Sequence, residues 1–307
     1  MKAFYCDHFV LPLPDGHRFP MGKYAALRNR LSDRSDLRLQ VPPAATDEQL
    51  GRVHMQGYLR AMVSGSLDRS AVRRIGFPWS PRLVERSRRS TGGTIEAGRS
   101  AIADGHAVNL AGGTHHAYAD HGEGFCVFND VAVAIRDLQA NGAVRRAAVV
   151  DLDVHQGNGT AAIFAGDDTV FTLSVHGALN YPFQKESSDL DIGLPDGAGD
   201  DLFLDAVDRG LRAALASGPE VVFFVAGVDA FEGDALGRLS VSRDGMAARD
   251  RLVYDRCDAA GVPVATVMAG GYAPDVDTIV DLHEATVLEA ARRFARRPSP
   301  SLTSEAP

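Results

Sequence analysis

The feature that most constrains the fold is a series of short apolar segments, each followed by polar residues or glycine. These segments are AVNL (107–110), RAAVVDLDV (146–154), DTVFTLSV (168–175), EVVFFVAG (220–227) and VPVATVMAG (262–270). Continuous apolar runs of this length are typical of strands buried on both faces of a parallel sheet. Helical patterns lie between them, at about residues 80–103, 129–140, 201–217, 243–260 and 276–296. The alternation predicts an α/β fold with a central, mostly parallel sheet flanked by helices.

The composition fits one globular domain. The chain has 307 residues, of which 45% are hydrophobic and 23% are charged, so it can bury a large core without disulfides. No internal repeat or linker interrupts the pattern before residue 297. We therefore expect a single domain over residues 1–296 and a disordered Pro/Ser-rich tail over 297–307.

Charge and cysteine content exclude several classes of protein. Lys and Arg total 32 against 40 Asp and Glu, a net charge of −8 without a long basic run, so nucleic acid is not an expected partner. Cys6, Cys126 and Cys257 are widely spaced, which argues against a disulfide framework and a cysteine zinc site. No signal-peptide core or membrane-length apolar run is present, and we expect a cytoplasmic protein. The sequence carries no signal for an oligomeric state.

Polar residues follow four of the apolar segments. They are His115 and His116, the stretch 151–155, Asp229 and Tyr272. In open parallel sheets, ligands bind beyond the carboxyl ends of the strands. Four loops that are far apart in sequence are therefore expected to converge at one edge of the sheet.

The stretch DLDVHQGNG (151–159) suggests a metal site. If the strand continues, Asp151, Asp153 and His155 point the same way, and carboxylate with imidazole suits zinc or a similar divalent ion. Asp229 could supply a third protein ligand and leave a position open, as in catalytic sites. The alternative is structural: Asp151 or Asp153 could cap a helix that begins near Thr160, and Asp229 could be a turn carboxylate.

The adjacent histidines in GGTHHA (112–117) suggest acid–base chemistry. On an irregular loop, His115 and His116 could divide the roles of proton acceptor and donor, each oriented by its own partner. Asp151 and Asn158 are the available partners. Tyr272, after two glycines, could donate a hydrogen bond to an oxyanion. Taken singly, these residues also fit a loop histidine and a core tyrosine.

Together and in this order, the motifs resemble the zinc-dependent histone deacetylase family. The resemblance rests on GGTHHA (112–117), GFCVFND (124–130), DLDVHQGNG (151–159), the segment 226–240 with EGDALGRLS, and AGGY (269–272). It extends over nearly the whole chain and is strongest to the class IV branch and its bacterial relatives. It implies the arginase–deacetylase fold, with a sheet of about eight strands and the active site at their carboxyl ends.

The resemblance also implies roles for the polar residues. One Zn²⁺ per chain would be held by Asp153, His155 and Asp229. His116 would be the main general base, assisted by His115, with Tyr272 polarising the scissile carbonyl. Beside this pair would lie Asp151 and Asn158, and Asn158 stands where some relatives carry Asp. A neutral amide supports an imidazolium less than a carboxylate does, so His116 should stay neutral more readily.

Two further sets of residues follow from the resemblance alone. The walls and rim of a substrate tunnel would be formed by Gly124, Phe125, Tyr181, Leu236 and Gly270. A structural potassium ion would be bound by Asp151, Asp153, His155, Ser174 and Val175.

The resulting prediction is an amide hydrolase that removes acyl groups, acetyl or longer fatty acyl, from lysine side chains. An acetylpolyamine or another small acylated amine is the main alternative substrate, and acidic residues for it could come from Glu123, Glu186, Asp189 and Asp191. A binuclear ureohydrolase is disfavoured because Gly157 and Phe231 stand where a second metal would need aspartates. A non-catalytic acyl-lysine binder is disfavoured because the metal ligands and the tyrosine are all present.

Overall fold

The structure, a computed structural model, describes residues 1–296. The predicted disordered tail, 297–307, lies outside the described residues. The strands are β1 Lys2–Phe4, β2 Arg38–Gln40, β3 His106–Asn109, β4 Ala147–Asp151, β5 Val170–Gly177, β6 Leu190–Leu194, β7 Val221–Val225 and β8 Val264–Val267. The helices are α1 Gly22–Leu31, α2 Asp47–Gly51, α3 Gln56–Ser64, α4 Arg69–Ile75, α5 Pro81–Asp104, α6 Asp130–Ala140, α7 Asn158–Phe164, α8 Asp200–Ala216, α9 Arg243–Ala259 and α10 Val276–Arg296.

Within residues 1–296 the eight strands form one sheet in the order β2-β1-β3-β8-β7-β4-β5-β6, and every pairing is parallel. The prediction of a single-domain α/β fold with about eight strands is confirmed. The four segments that precede the predicted functional residues are β3, β8, β7 and β4, which are neighbours in the middle of the sheet. Their following loops are therefore adjacent at one edge.

The core lies on both faces of the sheet. In β7, Val222 and Phe224 pack in one apolar cluster, whereas Val221, Phe223 and Val225 pack in the other. Because successive side chains of a strand point to opposite faces, a strand covered on both sides must be apolar throughout. Helices α5 and α6 cover one face, and α1, α8, α9 and α10 cover the other.

Helices α5 and α6 begin at residues whose side chains cap the first turn. The Asn129 side chain accepts a hydrogen bond from the Ala132 N–H at 3.0 Å and caps the first turn of α6. Ser80 caps α5, with Pro81 at its first position. The motif GFCVFND (124–130) ends at the first residue of α6, so the helix begins directly after the loop that contains Phe125.

Three strands were not predicted from the sequence. Strands β1 and β2 have only three residues each, and β6 alternates between half-buried and exposed positions at the edge of the sheet. The predicted strand over 146–154 is too long, because β4 ends at Asp151 and residues 153–155 belong to the loop beyond it. Asp151, Asp153 and His155 therefore do not form a continuous extended row.

Candidate active site

A buried acidic cluster lies beyond β4 and β7. Asp153, His155 and Asp229 each offer a ligand atom, and these atoms all lie within 4.8 Å of one another. The Asp229 Oδ1 atom accepts the Val154 N–H at 2.9 Å, and the Asp153 Oδ1 atom accepts the His155 N–H at 3.0 Å. The backbone thus holds both carboxylates in place. The cap interpretation of Asp153 is wrong, since α7 begins after Gly157 without a side-chain cap.

The cluster fits a divalent cation. The Asp229 Oδ2 atom is buried and has no hydrogen-bond partner among residues 1–296, although His155 Nδ1 lies 3.2 Å away. Burial, and then the Asp153 carboxylate, raise the pKa of Asp229 to about 7. Two carboxylates that share a buried site are both ionised only if a positive charge compensates them. The set of one nitrogen and two oxygen ligands, with room for a fourth ligand, is typical of a catalytic zinc site.

Because Gly270 has no side chain, the carboxylates of the cluster can lie directly against its backbone. A Cβ atom at this position would overlap Asp229 Oδ2 and would lie 2.6 Å from Asp153 Oδ2. The Gly270 N–H instead donates to Asp153 Oδ2 at 2.9 Å. Gly270 was predicted to bind substrate, and the structure shows that its N–H is engaged by a candidate metal ligand.

The first of the adjacent histidines is paired with a carboxylate. His115 Nδ1 lies 2.6 Å from Asp151 Oδ2, and both side chains are buried. Its other nitrogen, Nε2, lies 3.8 Å from Asp153 Oδ1. Burial lowers the pKa of His115, but the carboxylates of Asp151 and Asp153 outweigh burial and raise it to about 9.

The second histidine is paired with an amide. His116 Nδ1 lies 2.7 Å from Asn158 Oδ1. The Asn158 Nδ2 group donates to Glu123 Oε1 at 2.7 Å and to the Tyr118 hydroxyl at 3.1 Å. Because a carboxylate only accepts hydrogen bonds, Glu123 fixes the amide with its oxygen towards His116. His116 Nδ1 must then carry a proton, and the lone pair is left on Nε2.

The environment of His116 disfavours a positive charge. Burial, and then the charges of His115 and His155, hold the pKa of His116 well below its usual value. Its ring centroid lies 4.2 Å from that of His115. The pKa values of the two adjacent imidazoles are thus shifted in opposite directions. The shift favours the protonated form of His115 and the neutral form of His116.

Tyr272 approaches the cluster from the loop after β8. Its backbone N–H donates to Asp234 Oδ2 at 2.6 Å, and its ring centroid lies 6.5 Å from that of His155. Its hydroxyl has no hydrogen-bond partner in the described part of the chain. Burial, and then the carboxylates of Asp153 and Asp229, raise the pKa of Tyr272 well above its usual value, so the hydroxyl keeps its proton.

The turn that carries Tyr272 is held by a buried lysine. Lys23 Nζ donates to the Ala269 carbonyl at 3.0 Å and to the Gly271 carbonyl at 3.4 Å, on either side of Gly270. It also lies 5.6 Å from the centre of the Tyr272 ring. Ala269 has a φ of 55°, a strained conformation for a residue with a Cβ, and such strain clusters at functional sites.

A cavity of about 880 Å³ opens from the cluster to the surface. Its walls include Phe125, Tyr181 and Leu236 from the predicted tunnel, and Gly124 as well. Phe125 has a φ of 65°, and the Tyr181 ring lies edge-on to His116 with centroids 5.0 Å apart. A second cavity of about 70 Å³ continues inwards past the cluster. Its lining is mixed, with apolar side chains that include Leu11, Phe19 and Leu83 and polar ones that include Arg86 and Ser90.

The predicted potassium ligands lie on two adjacent strands. Asp151 pairs with Ser174 in the register of β4 and β5, and Val175 follows on β5. The Ser174 hydroxyl lies 2.9 Å from His176 Nδ1. The residues are neighbours at the same edge, and a potassium ion there stays a prediction.

The acidic residues that could have served a polyamine have partners within the protein. Asp189 accepts from the Thr172 N–H and hydroxyl, each at 2.8 Å, and Asp191 accepts from Gln156 Nε2 at 2.8 Å. Glu186 accepts from a tyrosine hydroxyl at 3.1 Å, and Glu123 holds the Asn158 amide. These carboxylates organise loops, and none lines the open cavity.

Sequence analysis missed three supporting residues. No role was predicted for Lys23 or Asp234, and Glu123 was considered only as an acidic residue for a polyamine. Lys23 is 246 positions from Ala269, and Glu123 is 35 positions from Asn158. No local pattern links residues so far apart. The one available signal was that Lys23 occupies the same helical face as Leu27 and Leu31, which indicates a buried lysine that needs partners.

The fold and the buried ligand group indicate the class of protein to which the chain belongs. A parallel α/β sheet that carries a buried Asp–His–Asp group at its carboxyl edge is typical of metal-dependent hydrolases. The family model described as the histone deacetylase domain matches residues 17–287. The chain therefore belongs to the histone deacetylase family of hydrolases.

Relatives are found in bacteria and plants. The chain is 44% identical over 283 residues to an uncharacterized protein of Picosynechococcus, covering 91% of this chain and 94% of that protein. It is 32% identical to the histone deacetylase-like amidohydrolase of Pseudomonas aeruginosa, over 85% of this chain and 73% of that protein. It is also 32% identical to histone deacetylase 2 of Arabidopsis thaliana, over 75% of this chain and 62% of that protein.

Solved structures share the fold. An HDAC homolog from Aquifex aeolicus superposes with a TM-score of 0.80 at 23% identity, covering 97% of this chain and 85% of that chain. The HDA15 HD domain gives a TM-score of 0.79 at 21% identity, covering 97% and 91%. None of the helices within residues 1–296 has the length and apolar character needed to cross a membrane. The cytoplasmic location and the class IV assignment stay predictions.

Proposed function

We propose that this protein is a zinc-dependent deacylase that hydrolyses the amide bond of acylated lysine side chains. The observation that carries the proposal is the arrangement around one cavity. The buried ligand group Asp153, His155 and Asp229 lies at its inner end, with a neutral imidazole and a tyrosine hydroxyl beside it. Amide hydrolysis needs an activated water, a base and an oxyanion donor, and this arrangement can supply all three.

The metal would be held by Asp153, His155 and Asp229, one ion per chain. A Zn²⁺ ion with three protein ligands would polarise the amide carbonyl and lower the pKa of water. The described residues contain a single cluster of this kind, which supports a mononuclear site. A potassium ion near Asp151 and Ser174 remains a separate structural proposal.

His116 would act as the general base. Its Nδ1 proton is engaged by Asn158, so Nε2 is free to take a proton from the attacking water. The resulting imidazolium would return that proton to the departing lysine nitrogen. The products are then a carboxylate and a free lysine amine. His115, held cationic by Asp151, would favour the developing negative charge nearby.

Tyr272 would stabilise the oxyanion that develops on the carbonyl oxygen. Its hydroxyl keeps its proton and has no other partner among residues 1–296, so it is available as a donor. A donor that is not engaged elsewhere does not have to break a hydrogen bond before it stabilises the oxyanion. This is the physical basis for assigning it the oxyanion role.

The cavities favour a short acyl chain. The lysine side chain would pass between Phe125 and Tyr181, with Leu236 at the rim and the Gly124 carbonyl as an acceptor. The inner cavity of about 70 Å³ would take the acyl group. A cavity of about 150 Å³ holds one benzene molecule, so this space suits acetyl better than a fatty acyl chain.

The test is turnover of one lysine peptide carrying acetyl, butyryl, octanoyl or myristoyl, with zinc-loaded enzyme. We expect the highest kcat/KM with acetyl and a steep decline beyond butyryl. Tyr272→Phe should lower kcat by about two or more orders of magnitude, the range for loss of an oxyanion donor. Cleavage that increases with chain length would contradict the short-chain assignment. No cleavage of any peptide would contradict the proposed function.

A further inference from the structure

The mouth of the open cavity has an unexpected charge for an acidic chain. Its lining includes four arginines, here called the basic mouth: Arg18, Arg73, Arg74 and Arg238. No aspartate or glutamate among the described residues lines the cavity. The chain as a whole carries a net charge of −8. A substrate that enters the site therefore meets positive charge on a protein that is otherwise acidic.

The arginines are available to a ligand. All four are exposed. Arg18, Arg73 and Arg74 form no ion pair with any residue between 1 and 296, whereas Arg238 pairs with Asp196 at 3.0 Å. An exposed guanidinium without a carboxylate partner can bind an incoming carboxylate through a bidentate pair.

The backbone fixes the basic mouth to the tunnel walls. The Arg74 carbonyl accepts the Gly124 N–H at 3.1 Å, and the Ile75 carbonyl accepts the Phe125 N–H at 2.8 Å. The end of α4, with Arg73 and Arg74, is thereby joined to the segment that forms one wall. On the other side, the Arg238 N–H donates to Asn180 Oδ1 at 3.2 Å. The backbone positions of Arg73, Arg74 and Arg238 are thus fixed relative to the opening.

We propose that the basic mouth selects acylated lysines that lie in acidic segments of a protein. Carboxylates on the residues flanking the acyl-lysine would pair with Arg18, Arg73 and Arg74 while the lysine side chain enters the tunnel. The inference rests on the proposed function and specifies its substrate. It disfavours acetylpolyamines, whose remaining ammonium groups would be repelled by the arginines.

The first experiment compares three acetyl-lysine peptides that differ only in their flanking residues. One has Asp and Glu on both sides, one has Ser and Gly, and one has Lys and Arg. We expect kcat/KM for the acidic peptide to exceed that for the neutral peptide by about tenfold at low ionic strength, the combined effect of a few exposed ion pairs. The preference should shrink as salt is added, because exposed charges are screened.

The second experiment reverses charge at the mouth. The double variant Arg73→Glu with Arg74→Glu should remove or invert the acidic preference. The matched control is Arg60→Glu with Arg69→Glu, which makes the same change in net charge at exposed arginines outside the cavity lining. The control should keep the wild-type preference. Because the readout is the ratio of two substrates on one enzyme, a loss of folded protein cancels.

The outcomes separate this inference from the proposed function. Two results would contradict selection by the basic mouth without contradicting deacylation. One is equal kcat/KM for the acidic and neutral peptides, and the other is an acidic preference that persists in the Arg73/Arg74 variant. Faster hydrolysis of Nα-capped Nε-acetyl-lysine with a free carboxylate than of the acidic peptide would also overturn it, in favour of a small anionic amide. Absence of turnover on every peptide would remove the proposed function and this inference with it.

Discussion

The two sides of the candidate metal site are held in different ways. On the histidine side, His115 and His116 are oriented by side chains, a carboxylate at 2.6 Å and an amide oxygen at 2.7 Å. On the tyrosine side, Tyr272 is oriented through its backbone, by Asp234 directly and by Lys23 through the neighbouring carbonyls. Its hydroxyl has no partner within the described chain.

The difference corresponds to two kinds of chemistry. A group that exchanges protons needs a partner that sets its tautomer and its pKa. A group that only donates a hydrogen bond to a developing charge needs a fixed position and a free proton. The two histidines also differ from each other. Asp151 favours the protonated form of His115, whereas burial and the charges of His115 and His155 favour the neutral form of His116.

The largest expected effect separates the two histidines. His116→Ala should lower kcat by about 10²- to 10⁴-fold, the usual contribution of a general base. His115→Ala should cost about ten- to a hundredfold, because this residue supports the reaction without taking the proton. Steady-state kinetics measures both, with bound zinc and melting temperature as controls for folding. A larger loss of kcat in His115→Ala than in His116→Ala would show that His115 is the general base and His116 the supporting residue.

A smaller effect follows from making the two histidine partners alike. In Asn158→Asp, a carboxylate beside His116 would stabilise the imidazolium and raise its pKa by about one to three units. The base works only when neutral, so the acidic limb of the pH profile of kcat/KM should move to higher pH by that amount. The expected loss is greatest on the acidic side of the profile and small at alkaline pH. An unchanged acidic limb would show that His116 does not set it.

The smallest effect concerns the tyrosine side. Lys23→Met keeps much of the side-chain volume but removes the hydrogen bonds to the Ala269 and Gly271 carbonyls. A small displacement of Tyr272 should lower kcat by about tenfold and leave KM nearly unchanged. Lys23→Arg should retain part of the lost kcat, because it restores a donor. If kcat and KM are both unaffected while the melting temperature falls, Lys23 has only a structural role.

Much of the fold could be predicted because its signals are local. Buried central strands are continuous apolar runs, and the five predicted ones all appear, although β4 is shorter than expected. Strands β1, β2 and β6 could not be predicted, since they are short or half-exposed and owe their conformation to a neighbouring strand. The local sequence predicts which strands are buried, but it predicts poorly which segments pair at the edge of a sheet.

The site shows the same division. The polar residues after β3, β4, β7 and β8 were identified because they interrupt apolar patterns, and the sheet order explains why they meet. The orientation of Asn158 depends on Glu123, and the position of Tyr272 depends on Lys23 and Asp234. These contacts join distant parts of the chain, and no spacing in the sequence predicts them.

The most direct test of the central claim is a zinc titration of metal-free enzyme, with turnover of an acetyl-lysine peptide and bound metal measured together. We predict no activity without metal, and activity that rises to a plateau at one zinc ion per chain. Asp229→Asn should bind zinc weakly and stay inactive. Full activity in the presence of a strong chelator, or a plateau at two ions per chain, would contradict the mononuclear metal-dependent mechanism.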